Sequence, residues 1–574
     1  MKKTKRRLET KSVAQATPAA RQRHWWTEWW IWATALAGLL VVYQVYAPAI
    51  NGAFVFDDLS LPFRTPEIKQ DMLSFVGRLR PLLMLSFWID YHRTAGADGA
   101  DPHTFHSTNI LLHFLTSVIA TLIALKLLEW TGVEKRMRTA LAIFAGALFL
   151  LHPLQTESVA YVASRSEVLS VLFYYAAFAV FVWRPGESMT LLRALAILLL
   201  FGAAAGIKEH TLTLPALLIL TDYFWNRGGI RKNWILYALL GLGAIAGGLY
   251  VWSIIRGANT AGFSMRDLTP VQYLYTQGRV LWIYIRMFLL PFGQNIDPGI
   301  PISHGPFDNG AIFGLIALAV VVVGAWIYRK RWPLASFGVF MFLLLIAPTS
   351  SFIPIHDVLA EHRMYLPFLG LVLICCEALR RLKFAQMIGI GATALIICSM
   401  LTYQRNQVWS SPLALWQDSV NKSPNKYRPR FQLARQLYDE NRCLDAVQSY
   451  DKASRLGPLE DQLLIDWALA LDCARRPVDE VVDKFRQAAA IYDTAHVHTQ
   501  IAAEYARHKR YQEALEELDQ AEKIDPNYDV TFFYRGGVAE ALGNRAEAQR
   551  FYRRALELNP QDRPARDALA RVSQ

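Results

Sequence analysis

Two adjacent carboxylates follow the first long apolar stretch of the chain, in the segment NGAFVFDDLS at residues 51–60. An ionisable side chain near membrane depth costs several kcal/mol unless it is paired or functional. Asp57 and Asp58 therefore mark a candidate functional site where the chain leaves the lipid. The alternative is a loop cap, because aspartate side chains readily accept hydrogen bonds from nearby backbone amides.

Ionisable side chains also recur beside other apolar stretches. The segments are residues 57–80, FHSTNILLH (105–113), HPLQTESVAYVASRSE (152–167), KEH (208–210) and HDVLAEHR (356–363). Five such segments on one face of a membrane protein would indicate a shared site. A structural interpretation stands beside this one, in which local ion pairs such as Arg165 with Glu157 simply satisfy each other. The candidate site residues are Arg80, His106, His152, Glu157, Arg165, Lys208, Glu209, Glu361 and Arg363.

The composition separates the chain into two parts. Apolar residues make up 53% of the 574 residues, and the long apolar runs lie before residue 405. This distribution predicts a polytopic membrane part at 25–405, followed by a soluble part. The formal net charge of +12 does not indicate nucleic-acid binding, because no basic stripe carries interleaved aromatic residues. Much of this charge lies in residues 1–24, which we expect to form a basic cytoplasmic tail.

Eleven membrane spans are predicted, starting from a cytoplasmic N-terminus. They lie at about 26–46, 108–128, 140–151, 162–183, 191–206, 212–225, 234–254, 309–328, 333–346, 364–379 and 385–403. Residues 270–290 are interpreted as an interfacial or re-entrant helix, since their polar side chains share one helical face. A crossing there would place the basic segments 328–331 and 380–383 outside, against the positive-inside rule. This threading puts the ionisable segments and the soluble part on the outer side.

The soluble part repeats with a period of 34 residues, and proline marks four of the five repeat positions. The positions are Pro424, Pro458, Tyr492, Pro526 and Pro560. Small residues at helix contacts and closing Asp-Pro or Asn-Pro pairs are typical of tetratricopeptide repeats. We expect about four units and a capping helix within 426–574, after a linker or first helix at 406–425. Such a solenoid says little about function, because similar arrays bind many different partners.

The cysteines leave two interpretations open. Cys375, Cys376 and Cys398 lie in apolar runs and are expected to be small core residues. Cys443 and Cys473 lie at helix ends that would be close in a stacked array. An external compartment would permit a disulfide between them, and two buried thiols is the simpler alternative.

Several motifs, taken in order, resemble one family. They are NGAFVFDDLS, RPLLMLSFWIDYH, FHSTNILLHFL, LHPLQTESVAYVASRSEVLS, KEHTLTLPALLILTDY and AEHRMYLPFLG, followed by the repeats. The order resembles the transmembrane and tetratricopeptide-repeat-containing O-mannosyltransferases, and more distantly the protein O-mannosyltransferases and other C-type membrane glycosyltransferases. The resemblance implies an all-α fold, in which a polytopic glycosyltransferase core of about eleven spans precedes the soluble solenoid. It also implies inverting transfer of a sugar from a polyprenyl-phosphate carrier to an acceptor on the outer face.

The resemblance implies roles for the candidate residues. In that superfamily an acidic residue just after the first span takes the proton of the acceptor hydroxyl. The sequence does not choose between Asp57 and Asp58 for this role. The cations implied for the donor phosphate are Arg165, Lys208 and Arg363. The sugar and acceptor pocket would comprise Arg80, His106, His152, Glu157, Glu209 and Glu361. No obligate metal is expected, although the carboxylate pair could hold a divalent cation.

Two features depart from the animal members of that family, namely the small number of repeats and the long basic tail. They suggest a bacterial inner-membrane protein with its active site and solenoid in the periplasm. The donor would resemble undecaprenyl phosphate carrying mannose or another hexose, and the repeats would present a protein or glycan acceptor. Arg279 and Arg286 would line the path of the lipid or snorkel. The alternatives are a non-enzymatic membrane-anchored scaffold and a lipid-linked glycan ligase or flippase.

Overall fold

The computed structural model describes residues 29–64, 68, 72, 80–94, 99–256, 262–263, 265 and 267–574, so the predicted basic tail lies outside the described residues. Within these ranges the chain is all-α and forms no β-strand. The helices that precede the soluble part are α1 (Trp29–Tyr46), α2 (Pro81–Thr94), α3 (Pro102–Trp130), α4 (Lys135–Leu151), α5 (Thr156–Ala160), α6 (Arg165–Val182), α7 (Leu191–Ala205), α8 (Leu214–Trp225), α9 (Arg227–Lys232), α10 (Trp234–Ile255), α11 (Pro270–Leu289), α12 (Ala311–Ile327), α13 (Pro333–Ile346), α14 (Phe368–Leu379) and α15 (Phe384–Val408).

Each of the eleven predicted spans coincides with one of these helices, although only some are long enough to cross a bilayer unaided. Six described segments pass by length and apolar composition, and a seventh passes if the bent pair Lys135–Leu151 and Pro153–Ala160 is one span. The six are Trp32–Ala49, Pro102–Trp130, Val162–Val182, Trp234–Ile254, Asp308–Lys330 and Phe384–Val408. The helices α7, α13 and α14 are apolar but shorter. The count of eleven is therefore approximate.

The ionisable segments meet at one end of the helix bundle, where α4 and α13 end and α6 and α14 begin. We call this the site end. Helix α11 contacts the site end at both of its own ends. Near its start, the Tyr273 hydroxyl donates to the carbonyl of Thr349, just after α13. Near its finish, His152, just after α4, bonds the carbonyl of Phe288. Both ends of helix α11 thus contact residues of the site end, and α11 is not among the six described segments that pass as membrane spans.

Helices α13 and α14 approach closely because each has a glycine at the crossing point. A Cβ atom built on Gly338 would lie 2.3 Å from the carbonyl oxygen of Gly370, and one on Gly370 would lie 2.7 Å from that of Gly338. Small residues let helix backbones pack closely where lipid offers no hydrophobic drive for association. Alanine at either position would therefore push apart the two helices that flank the loop 347–367.

The soluble part is built from consecutive helix pairs. After α16 (Pro412–Lys422), the helices are α17 (Tyr427–Asp439), α18 (Cys443–Ser454), α19 (Asp461–Cys473), α20 (Val478–Ile491), α21 (Ala495–Arg507), α22 (Tyr511–Ile524), α23 (Asp529–Ala541), α24 (Arg545–Leu558) and α25 (Arg563–Ser573). The alanines expected at helix contacts, namely Ala514, Ala521, Ala548 and Ala555, are fully buried. The pairs from α17 to α24 form a tetratricopeptide-like solenoid, with α25 in the position of the expected capping helix.

A partly buried polar junction, which we call the neck, joins the solenoid to the site end. Asp297, whose side chain is 2% exposed, accepts from Nε of Arg428 at 2.7 Å. The same guanidinium donates from Nη2 to Asp357 at 2.7 Å. Asn295 donates to the hydroxyl of Ser423 at 2.8 Å. Charge-assisted bonds of this kind need good geometry when buried, so the neck fixes how the first solenoid helices sit on the membrane part.

Cys443 and Cys473 form a disulfide between α18 and α19, with their Cα atoms 5.6 Å apart. The bond closes a loop with a sequence separation of 30 residues. We expect Cys443→Ser to lower the free energy of unfolding of the solenoid by about 3 kcal/mol, because the unfolded chain regains loop freedom. Thermal unfolding of the full chain in detergent would show it. Dithiothreitol should lower the melting temperature of the wild type and leave that of Cys443→Ser unchanged, and an insensitive wild type would contradict the prediction.

Candidate functional site

A 3-10 turn at Phe56–Ser60 carries both aspartates and docks onto the segment between α5 and α6. The N–H of Asp57 donates to the hydroxyl of Tyr161 at 2.9 Å. Asp58 Oδ1 accepts the N–H of Ala163 at 2.7 Å. The first residue of the turn has a φ of 52°, a left-handed conformation that costs a non-glycine residue about 1–3 kcal/mol. These contacts must offset that strain, and they fix the backbone of Asp57 and the carboxylate of Asp58.

The two aspartates have different environments. Asp58 is fully buried, and its second oxygen accepts the N–H of Val55 at 3.1 Å. Burial raises the pKa of Asp58 to about 7, although the backbone N–H groups of Val55 and Ala163 act in the opposite direction. The side chain of Asp57 is exposed. Within this arrangement an acceptor hydroxyl can reach the carboxylate of Asp57, whereas both oxygens of Asp58 are committed to the backbone.

Arg165 is fully buried and its guanidinium is engaged by protein groups. It forms an ion pair with Asp90 at 2.7 Å and donates from Nε to Asn109 at 2.7 Å. Two further donors bond the carbonyls of Ser86 and Phe105. A buried cation paired in this way holds α2, α3 and α6 together. The expectation that Arg165 binds the donor phosphate does not fit this arrangement, because the side chain is fully buried and each of its three nitrogens already bonds a protein group.

Lys208 lies at the site end beside a buried carboxylate. Its Nζ is 2.6 Å from Oε1 of Glu167, and the lysine side chain is 16% exposed. His210 approaches the other oxygen of Glu167 at 3.4 Å. The segment 206–211 is therefore anchored to the first turn of α6. This anchor leaves the ammonium group of Lys208 in a fixed and partly accessible position.

A second pair links α5 to the loop before α14. Glu157 is buried, with 3% of its surface exposed. Its carboxylate lies 2.5 Å from Nδ1 of His362 and accepts the N–H of Glu361 at 3.2 Å. Glu361 in turn accepts the N–H of Asn295 at 2.6 Å. Burial and the nearby carboxylate of Glu157 raise the pKa of Glu361, against the lowering effect of Arg405. Segments that are about two hundred positions apart in sequence thus share one polar network.

Arg80 and Glu209 pair at the more exposed side of this network. One guanidinium nitrogen of Arg80 lies 2.9 Å and 3.0 Å from the two carboxylate oxygens of Glu209. Burial alone would raise the pKa of Glu209, but the cations of Arg80 and Lys208 bring that pKa below its ordinary value. Arg80 has a φ of 57°. Its backbone is therefore in the same strained, left-handed conformation as Phe56, the first residue of the turn that carries the aspartates. Strain of this kind tends to occur at sites where a side chain must be aimed.

Three other candidates are held mainly by backbone groups. His152 accepts the N–H of Leu154 at Nδ1 and bonds the carbonyl of Phe288 through Nε2. His106 bonds the carbonyl of Gly52. Both imidazoles are buried, so the expectation that they contact sugar or acceptor does not fit their positions.

Arg363 donates from Nη2 to the carbonyl of Asp357 at 2.6 Å. Arg363 is buried as well, but unlike the two imidazoles it has an unpaired donor, since its Nη1 has no hydrogen-bond partner among the described residues.

The structure therefore forms two polar groups at the site end, one with Arg80, Lys208 and Glu209 and one with Glu157 and Glu361, and the α5–α6 segment that follows Glu157 also holds the turn at Phe56–Ser60. Among the residues that the structure describes, no group of three or more His, Cys, Asp or Glu side chains is placed to hold a metal ion. The observed arrangement can position a hydroxyl near a carboxylate and present cations to an anionic group.

Sequence reasoning missed three residues that organise this region. Tyr161 orients the Asp57 turn, Asp90 neutralises Arg165, and Asp297 anchors the neck. Asp90 lies in the apolar motif RPLLMLSFWIDYH. A single carboxylate in such a helix indicates a buried partner or a functional role, so this residue could have been identified from the sequence. Tyr161 and Asp297 carry no such signal, because their partners lie 104 and 131 positions away.

Comparison with known proteins gives a repeat and a set of relatives. The family model described as tetratricopeptide repeat matches residues 531–562. "Protein O-mannosyl-transferase F38B6.6" of Caenorhabditis elegans is 23% identical over 73% of this chain and 62% of its own length. The human "Protein O-mannosyl-transferase TMTC1" is 24% identical over 72% of this chain and 54% of its own length. The human "Protein O-mannosyl-transferase TMTC3" is 22% identical over 84% of this chain and 57% of its own length.

Among solved structures, the crystal structure of MamA is 19% identical over 26% of this chain, with a TM-score of 0.24. The Cut9 and Hcn1 hetero-tetramer structure covers 88% of this chain at 13% identity, with a TM-score of 0.25. Scores this low carry no argument. The chain spans between a half and two thirds of the length of the curated relatives described above. It is thus similar to proteins that carry the name protein O-mannosyl-transferase, and it contains a tetratricopeptide repeat.

Proposed function

We propose that the chain is an inverting membrane glycosyltransferase. It moves mannose or another hexose from a polyprenyl-phosphate carrier to a hydroxyl of an extracytoplasmic protein or glycan. The observation that supports this most is the exposed carboxylate of Asp57, on a strained turn tied to the segment that carries Glu157. The similarity to proteins named O-mannosyl-transferases points to the same chemistry.

The proposed reaction is a single displacement. The acceptor oxygen attacks the anomeric carbon of the sugar while the bond from that carbon to the carrier's phosphate oxygen breaks. Asp57 takes the hydroxyl proton as general base, and the phosphate leaves with the bonding electron pair. Attack from the face opposite the phosphate inverts the anomeric configuration. Tyr161 positions the base, because its hydroxyl accepts the backbone N–H of Asp57.

The leaving phosphate gains negative charge in the transition state, so nearby cations stabilise it. Lys208 and Arg80 are partly exposed, at 16% and 33% of the side chain. Each is held from one side by a carboxylate, Glu167 or Glu209. We assign them, with Arg363, to the donor phosphate in place of Arg165.

Lys208→Met tests this assignment. We expect kcat/KM for the lipid donor to fall by about ten- to a hundredfold, because a charge-assisted contact to phosphate is lost. Lys208→Arg should recover part of the rate. The matched control is Lys232→Met, which removes a lysine paired with Glu187 away from the site end. Equal donor kinetics for Lys208→Met and Lys232→Met would contradict the assignment.

We also propose an orientation, with the site end and the solenoid on the periplasmic side of a bacterial inner membrane. The disulfide Cys443–Cys473 supports an oxidising compartment for the solenoid. The short basic segments at the opposite end of the bundle support a cytoplasmic location for that end.

Purified protein in nanodiscs, given polyprenyl-phosphate [³H]mannose and an extract of periplasmic proteins, tests the proposed function. We expect single-sugar transfer to protein or glycan. Transfer of whole oligosaccharides would indicate a ligase instead. No transfer, together with an unchanged glycoproteome in a deletion strain, would favour a non-enzymatic scaffold.

A further inference from the structure

A cavity of about 870 Å³ lies between the site end and the first turn of the solenoid. This volume is within the range of small-ligand sites, about 300–1,000 Å³. Its walls come from α11, from Met265, Asp267 and Leu268 before α11, from loops 293–302 and 356–361, and from the α16–α17 connection at 422–426. None of the residues in the proposed reaction lines it, and Glu361 is the one sequence-predicted site residue among its lining residues.

The origin of the walls favours a polypeptide over a lipid tail as the occupant. The apolar, outward-facing helices that would contact lipid chains, such as α7, α10 and α12, contribute no residue to the cavity. One wall belongs to the soluble solenoid, and three others are non-helical chain segments. The lining mixes apolar side chains such as Leu268 and Met287 with polar groups such as Asn295 and Ser423. Such a lining suits alternating apolar and polar groups of an extended peptide.

The charges of the lining favour an acidic group on that peptide. Lys426 is paired with Asp297, Lys422 with Asp418, and Asp357 with Arg428. Arg286 differs from these residues. Within the described part of the chain, its contacts are the carbonyl and the ring of Phe292 rather than a carboxylate. The remaining charged groups of the lining are His356 and Asp267, both exposed, and buried Glu361.

The cavity also lies next to the turn that carries the proposed base. Arg428, which bonds the cavity residue Asp357 at 2.7 Å, stacks on the ring of Phe56 at 5.1 Å. Phe56 directly precedes Asp57 in the chain. The cavity lining and the turn that carries the proposed base are therefore joined through the side chains of Arg428 and Phe56.

We infer that this cavity binds the acceptor polypeptide, with an acidic side chain on Arg286 and an adjacent apolar side chain on Leu268 and Met287. The inference rests on the proposed function, since it names the acceptor class for the same site. The acceptor is then selected at the neck, to which both the membrane part and the solenoid contribute residues. The rest of the solenoid is not needed for this selection.

Fluorescence anisotropy with the full chain in nanodiscs, without sugar donor, tests the inference. The probes are fluorescein-labelled Ala-Val-Thr-Val-Asp-Ala and the same peptide with Lys in place of Asp. We expect the wild type to bind the Asp peptide about tenfold more tightly, because one charge-assisted contact is gained. Arg286→Glu should reverse the preference. The matched control is Arg227→Glu, an exposed arginine of α9 outside the cavity, which should keep the wild-type preference.

Three results would overturn the inference: no binding of either peptide, an unchanged preference in Arg286→Glu, or displacement of the peptide by undecaprenyl phosphate. The last would identify a lipid site. Because no sugar donor is present, these results do not depend on catalysis. Failure of the proposed function would instead appear as absent transfer with peptide preference intact.

Discussion

Asp57→Asn should reduce sugar transfer by about 10²–10⁴-fold, the usual contribution of a general base, while the protein remains folded. The carboxylate of Asp57 is exposed, and its anchor to Tyr161 uses the backbone N–H, which the substitution keeps. An amide of nearly the same shape therefore removes the base without disturbing the turn. The measurements are kcat with a polyprenyl-phosphate sugar and the melting temperature in the same detergent.

Asp58→Asn is the matched control for this prediction. Both oxygens of Asp58 accept backbone N–H groups, from Val55 and Ala163. In the asparagine variant, the amide nitrogen would face one of these two backbone N–H groups, and both groups are donors. The backbone N–H would lose its acceptor, which costs about 1–3 kcal/mol when the group is buried. We expect a lower melting temperature and a secondary loss of rate. If Asp58→Asn lost turnover at an unchanged melting temperature while Asp57→Asn stayed active, the two roles would be exchanged.

Asp90→Ala should destabilise the membrane part by about 3–5 kcal/mol, because it leaves the charge of Arg165 buried without its carboxylate. Arg165 is fully buried and Asp90 is 1% exposed, so water cannot replace the lost partner. Thermal unfolding in detergent measures the effect. The double variant Asp90→Ala with Arg165→Met should be more stable than Asp90→Ala alone, since both charges are then removed.

The same variants separate a structural role of Arg165 from phosphate binding. A structural arginine predicts that Arg165→Met lowers the melting temperature and leaves KM for the lipid donor within a few-fold of the wild type. A higher donor KM at an unchanged melting temperature would contradict this account and restore Arg165 as a phosphate ligand.

The helices and the solenoid could be predicted because their signals are local. Apolar runs of helical length and a 34-residue period repeat along the chain without reference to distant residues. The role of the glycines in α13 and α14 could not be predicted in this way. It depends on the contact between Gly338 and Gly370, which lie on different helices.

The candidate site was predictable only in part, for the same physical reason. Residue types identified carboxylates and cations near the membrane surface, and the structure places Lys208 near Glu209 and links Glu157 to Glu361. The difference between Asp57 and Asp58 depends on Tyr161 and Ala163, more than a hundred positions away. The motif around Arg165 does not reveal that Asp90 already neutralises it.

The most direct test of the central claim, a single displacement assisted by Asp57, is the anomeric configuration of the product. Purified protein would receive a polyprenyl-phosphate [1-¹³C]mannose of known configuration, and the one-bond carbon–proton coupling of the product would be read by NMR. We predict a product of the opposite configuration, formed by the wild type and nearly absent with Asp57→Asn. A product of retained configuration, or equal product from Asp57→Asn, would contradict the account.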